Sequence, residues 1–127
     1  MKLVFDTSIL INALRLKKEA KEVLAQFEET SDELFLPSIV GFELFSGESS
    51  SKMDQIKKIK EFLSFFEIVD LTWEIAENAG IIYRESIKGL EVPDYIVAAT
   101  AMEIGASVVT LNIKHFSKIP GLAIYSF

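Results

Sequence analysis

A doubly wound parallel α/β sheet with helices on both faces is the fold this sequence predicts. Three observations predict it. Short apolar runs such as Leu3 to Phe5 and Ser107 to Thr110 recur along the chain, and continuous apolar runs mark strands buried on both faces. Helical patterns separate these runs, as crossovers between parallel strands require. The 127 residues contain no repeat and no linker long enough to divide them, so residues 1–127 are expected to form one domain.

The elements follow in order. Lys2 to Phe5 predicts the first strand, and Thr7 to Leu14 a helix. Ala20, Val23, Leu24 and Phe27 fall at i, i+3, i+4 and i+7 and predict a second helix. Leu34 to Leu36 reads as the second strand, after which Pro37 and Ser38 open a helix to about Phe45. Gly47 to Ser51 reads as a loop. Ser51 and Asp54 form a capping-box pattern ahead of a helix striped by Ile56, Ile59, Leu63 and Phe66. Glu67 to Val69 is the third strand. Thr72 caps a long helix that ends at Lys88 and Gly89. Pro93 opens the next, which runs to about Ile104. Ser107 to Thr110 is the fourth strand and Ala123 to Tyr125 the fifth.

Composition narrows the chemistry. Apolar residues make up 50% of the chain, which excludes disorder. The absence of cysteine excludes disulfides, zinc fingers, iron–sulfur clusters and thiol nucleophiles. His115 is the single histidine, so a multi-histidine zinc site is impossible and any Ser-His-Asp triad must use it. No apolar run reaches the roughly 18 residues of a membrane helix. Lys2 followed by Leu3 to Phe5 has the start of a signal peptide, but Asp6 and Asn12 interrupt it, and a cytoplasmic protein is expected. Net charge is −6, whereas a protein that holds nucleic acid by charge alone is basic. Either nucleic acid is not the partner, or the acidic groups are themselves the site and metal ions neutralise them.

Sites in parallel sheets form beyond the carboxyl ends of the strands. Asp6 directly follows the first strand there, although an N-cap would explain it too. Glu43 falls between Ile39 and Val40 on its helix, flanked by Phe42 and Leu44. That places a carboxylate in an apolar face, where Glu is rare unless paired or metal-bound. Asp94 suits the helix dipole at its N-terminus, yet shares its stripe with Val97, Ala98 and Ala101. Asn112 follows the fourth strand, which is expected beside the first; it would then flank the same crevice as Asp6. Asp6, Glu43, Asp94 and Asn112 together form an oxygen-only set, which selects a hard cation, Mg²⁺ or Mn²⁺. Such clusters serve phosphodiester hydrolysis.

Other motifs fail. The run from Gly47 to Lys52 lacks the second glycine and the Ser or Thr of a phosphate loop, and there is no G-x-G-x-x-G. Lys17, Lys18 and Lys21 form one basic cluster, and Lys52, Lys57, Lys58 and Lys60 another. They read as solvated helix faces or as a phosphate-contacting rim. His115 is expected beside Phe116, pointing along its turn and away from the acidic set.

Asp6-Thr7-Ser8-Ile9-Leu10 after a strand resembles the opening motif of the PIN domain family. Phe42-Glu43-Leu44 is similar to its helical glutamate segment, Pro93-Asp94-Tyr95 to its third acidic motif, and Thr110-Leu111-Asn112 to its fourth. The order and spacing match over the whole chain, whose length resembles the VapC-type toxins of type II toxin–antitoxin pairs. The resemblance implies a five-stranded sheet of order 3-2-1-4-5 and a Mg²⁺- or Mn²⁺-dependent endoribonuclease. It implies Asp6, Glu43 and Asp94 as metal ligands and Asn112 in the fourth position, where some members have Asp. It also implies an RNA substrate, a small antitoxin partner and a homodimer. Phe62, Phe65, Phe66 and Trp73 lie close together in sequence and add an aromatic surface for such a dimer. Two other functions compete: a non-catalytic PIN-fold module binding RNA or protein, and a receiver-like phosphoacceptor domain using Asp70.

Overall fold

The first apolar run becomes an inner strand of the sheet. The computed structural model describes residues 1–27, 32–47, 53–86 and 89–126. Its elements are β1 (Lys2–Phe5), α1 (Thr7–Arg15), α2 (Ala20–Ala25), β2 (Glu33–Pro37), α3 (Ser38–Ser46), α4 (Met53–Leu63), β3 (Glu67–Val69), α5 (Trp73–Glu85), α6 (Val92–Ile104), β4 (Ser107–Val109) and α7 (Ile113–Phe116). Four parallel strands pair in the order β3-β2-β1-β4. Leu3, Val4 and Phe5 are fully buried, as an inner strand covered on both faces requires.

The register fixes the place of the site. Phe5 pairs with Val109, and the Asp6 amide donates to the Val109 carbonyl at 3.0 Å. The chain therefore leaves β1 and β4 at the same level, with Asp6 beside Thr110. α6 packs against both strands and against α5. Its Val97, Ala98, Ala99, Thr100 and Ala101 are all buried, and the small residues let the helix approach on several sides. Gly105 ends α6 at φ +69°, a left-handed conformation that favours glycine.

The expected fifth strand is reduced to one bridge. Ile124 pairs in parallel with Val108, through Val108 N–H to the Ala123 carbonyl and Tyr125 N–H to the Val108 carbonyl, both at 2.9 Å. The segment lies beside β4 as order 3-2-1-4-5 implies, but it makes too few pairings to form a strand. The helix expected to end at Lys88 and Gly89 stops at Glu85, because Ser86 turns to extended backbone. Gly89, at φ +132°, instead belongs to the turn leading to α6. Lys88, Lys52 and the Ser51 half of the expected capping box lie outside the described residues.

The aromatic cluster also divides differently. Phe62 and Phe66 are buried, and Phe66 meets Phe5 edge-to-face at 5.0 Å. Phe65 is half-buried against the core, which leaves only Trp73 strongly exposed, at 79%. Phe62 and Phe66 are four residues apart, and that spacing turns both toward the sheet. Among the described residues no helix is long and apolar enough to cross a membrane.

Candidate functional site

Asp6, Glu43, Asp94 and Asn112 line one open cleft beyond the carboxyl ends of β1 and β4. Asp6 is only 4% exposed and occupies the N-cap position of α1, yet its side chain makes no cap. Its Oδ2 instead accepts hydrogen bonds from the hydroxyls of Ser8 and Thr110, each at 2.8 Å. Ser8 and Thr110 are in turn tied to the next turn. The Leu111 amide donates to Ser8 Oγ at 3.0 Å, and the Asn112 amide donates to Thr110 Oγ1 at 2.9 Å.

Glu43 arrives from α3, whose Val40 and Leu44 are buried. Phe42, expected to flank it on an apolar face, is turned outward and 67% exposed, so Glu43 lies at the border of the buried stripe. Its Oε1 accepts the Thr7 hydroxyl at 2.5 Å. Asp94 is the third residue of α6 and completes a capping box with Glu91. Its Oδ2 accepts the Glu91 amide at 3.1 Å.

The three carboxylates share one arrangement. Each has one oxygen held by a protein donor. The other oxygen of each accepts no hydrogen bond among the described residues. Burial pushes the Glu43 carboxyl pKa up; the Thr7 hydrogen bond opposes this, and the charges of Asp6 and Asp94 add to the rise. Burial likewise raises Asp94, against the Glu91 amide bond, with the Asp6 charge adding to the rise and His115 opposing it. Among the described residues, no three His, Cys, Asp or Glu side chains are placed to hold a metal ion as they stand. The donor set nevertheless fits a hard cation. It is all oxygen, it is crowded with like charge, and its residues line a common cleft.

His115 was expected to point away and does not. It lines the cleft with Asn112 and Asp94. Asn112 occupies the N-cap position of α7, without a side-chain cap, and His115 lies one turn on; an i, i+3 pair shares a helix face. Thr7, Ser8 and Thr110 are the residues that sequence reasoning missed. The run Asp-Thr-Ser after a strand was the available signal, but those residue types read first as cap formers. Asp70 follows the edge strand β3, two strands away from β1, and takes no part in this cleft.

A parallel α/β sheet with an acidic, oxygen-lined cleft at its carboxyl edge is the class this fold and cleft define. The model of the PIN domain matches residues 3–122, and the chain belongs to that family. It is 33% identical to Ribonuclease VapC19 of Mycobacterium tuberculosis over 125 residues, 96% of this chain and 97% of that protein. The fold superposes on the structure of VapBC2 from Rickettsia felis bound to a DNA fragment from their promoter. The TM-score is 0.83 at 28% identity, covering 100% of this chain and 99% of that one. A toxin–antitoxin complex from Klebsiella pneumoniae gives a TM-score of 0.72 at 27% identity, over 98% and 99% of the two chains.

Proposed function

We propose that this chain is a metal-dependent endoribonuclease hydrolysing RNA phosphodiester bonds, and the toxin of a toxin–antitoxin pair. The observation that carries the reading is the trio of carboxylates lining a common cleft, each with one oxygen held by a protein donor and the other accepting no hydrogen bond among the described residues. Similarity to a ribonuclease over nearly the full chain supports the reaction class, and similarity to a toxin–antitoxin complex supports a small protein partner.

Asp6, Glu43 and Asp94 would hold the ion, Mg²⁺ or Mn²⁺, with Asn112 in the fourth position. When bound, such an ion supplies an activated water and stabilises charge developing on the phosphate. The protein contributes orientation. Ser8 and Thr110 fix the Asp6 carboxylate, Thr7 fixes Glu43, and the Glu91 amide fixes Asp94. Asn112 offers a carbonyl without charge and so limits the total negative charge of the cleft. The test is cleavage of total cellular RNA with Mn²⁺ and with chelator. Cleavage that is equal in both, or absent from the folded protein with Mn²⁺, overturns the reading.

His115 faces the cleft but forms no side-chain hydrogen bond or ion pair among the described residues. We expect His115→Gln to keep cleavage within about tenfold of the wild type, whereas a general acid contributes ~10²–10⁴-fold. The pH–rate profiles of the two proteins, with saturating Mn²⁺, decide between them.

The chain also forms a homodimer in this reading. Trp73, Tyr83 and Val92 are exposed on α5 and α6 beside an almost wholly apolar groove, and apolar patches of this kind mark interfaces. Light scattering at micromolar concentration is expected to return twice the chain mass; a monomer mass removes this element.

A further inference from the structure

The cleft has a continuation that the metal chemistry does not use. Past Ile11, Arg15 and Glu43 it opens into a groove between α1 on one side and α3 and the start of α4 on the other. That groove runs by Lys17 and Gln55 and ends at Lys57 and Lys58. Beyond the acidic cleft, Arg15, Lys17, Lys57 and Lys58 line it, with Asp54 the one acid among the described residues there. Among the described residues none of the four cations is paired with a carboxylate. On the other side of the cleft, past Asn12 and Leu111, the described residues offer Lys18 against Glu22, with no such excess among them. In a chain of net charge −6, this groove is the positive exit from a negative cleft.

Lys17 adds an independent observation. It ends α1 in a Schellman motif, in which its amide donates to the Leu14 carbonyl at 3.1 Å and the Lys18 amide to the Ala13 carbonyl at 3.0 Å. Its φ is +55°, the sole positive value outside glycine among the described residues. Glycine meets that conformation without strain, and lysine does not. A residue that breaks a local rule at the junction of two basic stretches is the kind of exception that function explains.

We propose that the RNA strand leaves the acidic cleft along this groove, its phosphates taken in turn by Arg15, Lys17, Lys57 and Lys58. The proposal rests on the ribonuclease reading above and adds the direction of the substrate. Ile11, Leu14 and Leu44 form an apolar floor, which suits sugar and base faces and reads no particular sequence. The phosphate contacts position the strand and carry no base specificity.

Salt dependence tests it. Binding of labelled single-stranded RNA of mixed sequence is measured across KCl concentrations with Mn²⁺ in the Asp94→Asn background, which blocks cutting. Removing one cation that neutralises a phosphate lowers the slope of log affinity against log salt by about 0.7. Lys17→Gly, Lys57→Ala and Lys58→Ala together are expected to lower it by about 2. Lys2→Ala, Lys21→Ala and Arg84→Ala, an equal change of charge away from the groove, are expected to leave it in place. Lys17→Gly alone is expected to raise the thermal midpoint while lowering the slope. A slope that is unchanged in the groove variant, or falls equally in the control, overturns the path while RNA cleavage by the wild type stands. A wild type that neither binds nor cuts RNA overturns the ribonuclease reading and the path with it.

Discussion

Glu43→Gln is expected to lose RNA cleavage by more than about a hundredfold, the scale set by removing one electrostatic group from a preorganised site. The same variant is expected to melt at a higher temperature than the wild type when no metal is present. The loss follows from removing a carboxylate that would hold the ion, and the gain in stability from the electrostatics of the cleft. The Glu43 carboxyl pKa is raised by its burial and by the charges of Asp6 and Asp94, against the Thr7 hydrogen bond. At neutral pH its charge therefore opposes folding. Glutamine keeps the size of the side chain and an oxygen to accept the Thr7 hydroxyl, so the substitution removes charge and little else. Cleavage assays with Mn²⁺ and thermal melts in chelator read the two effects separately. Full activity would remove Glu43 from the site. A lower metal-free midpoint would make its carboxylate a structural group.

The sheet was legible because its strands are apolar on both faces. Leu3, Val4 and Phe5 cannot be satisfied at a surface, and their burial makes β1 an inner strand. The fifth strand was overread. Ala123 to Tyr125 has strand composition, but Gly121 at φ +78° precedes it and only Ile124 finds a ladder partner. That Asp6, Glu43, Asp94 and Asn112 share one cleft was legible by position: each bears side-chain oxygen at a strand end or beside an apolar stripe.

The residues that hold these donors were not legible, because they act across long separations. Thr7 reaches Glu43 from 36 residues away, and Thr110 reaches Asp6 from 104. Only the register of β1 against β4 brings the second pair together. Asp94 shows why a single reading of a residue fails. The dipole role and the cleft role looked like alternatives, and the structure gives it both a capping bond through Oδ2 and a place in the cleft. Phe62, Phe66 and Trp73 failed as a surface for a related reason: nearness in sequence says nothing of face, and two of the three turn inward.

Mg²⁺ or Mn²⁺ is expected to stabilise the folded chain by about 2.7 kcal/mol at a hundred times its Kd, through binding to the folded state alone. Asp6→Asn is expected to lose that stabilisation, since Asp6 lies between the other two acids electrostatically and raises the pKa of both. Acidity must then act in opposite directions on the stability of the metal-free fold and on the ion's contribution to it. Without metal, the folded state binds protons at Glu43 and Asp94 more readily than the unfolded chain does. Stability therefore rises as pH falls from neutral through the raised pKa values, and the gain is complete below the ordinary carboxylate range. With metal, protons compete for the same oxygens, and the stabilisation by the ion shrinks over that same window. Melting curves across pH, with and without Mn²⁺, are expected to converge as the pH falls. If Asp6→Asn shows the wild-type shift with Mn²⁺, or if the two wild-type curves run parallel through the window, the ion binds somewhere other than these three carboxylates.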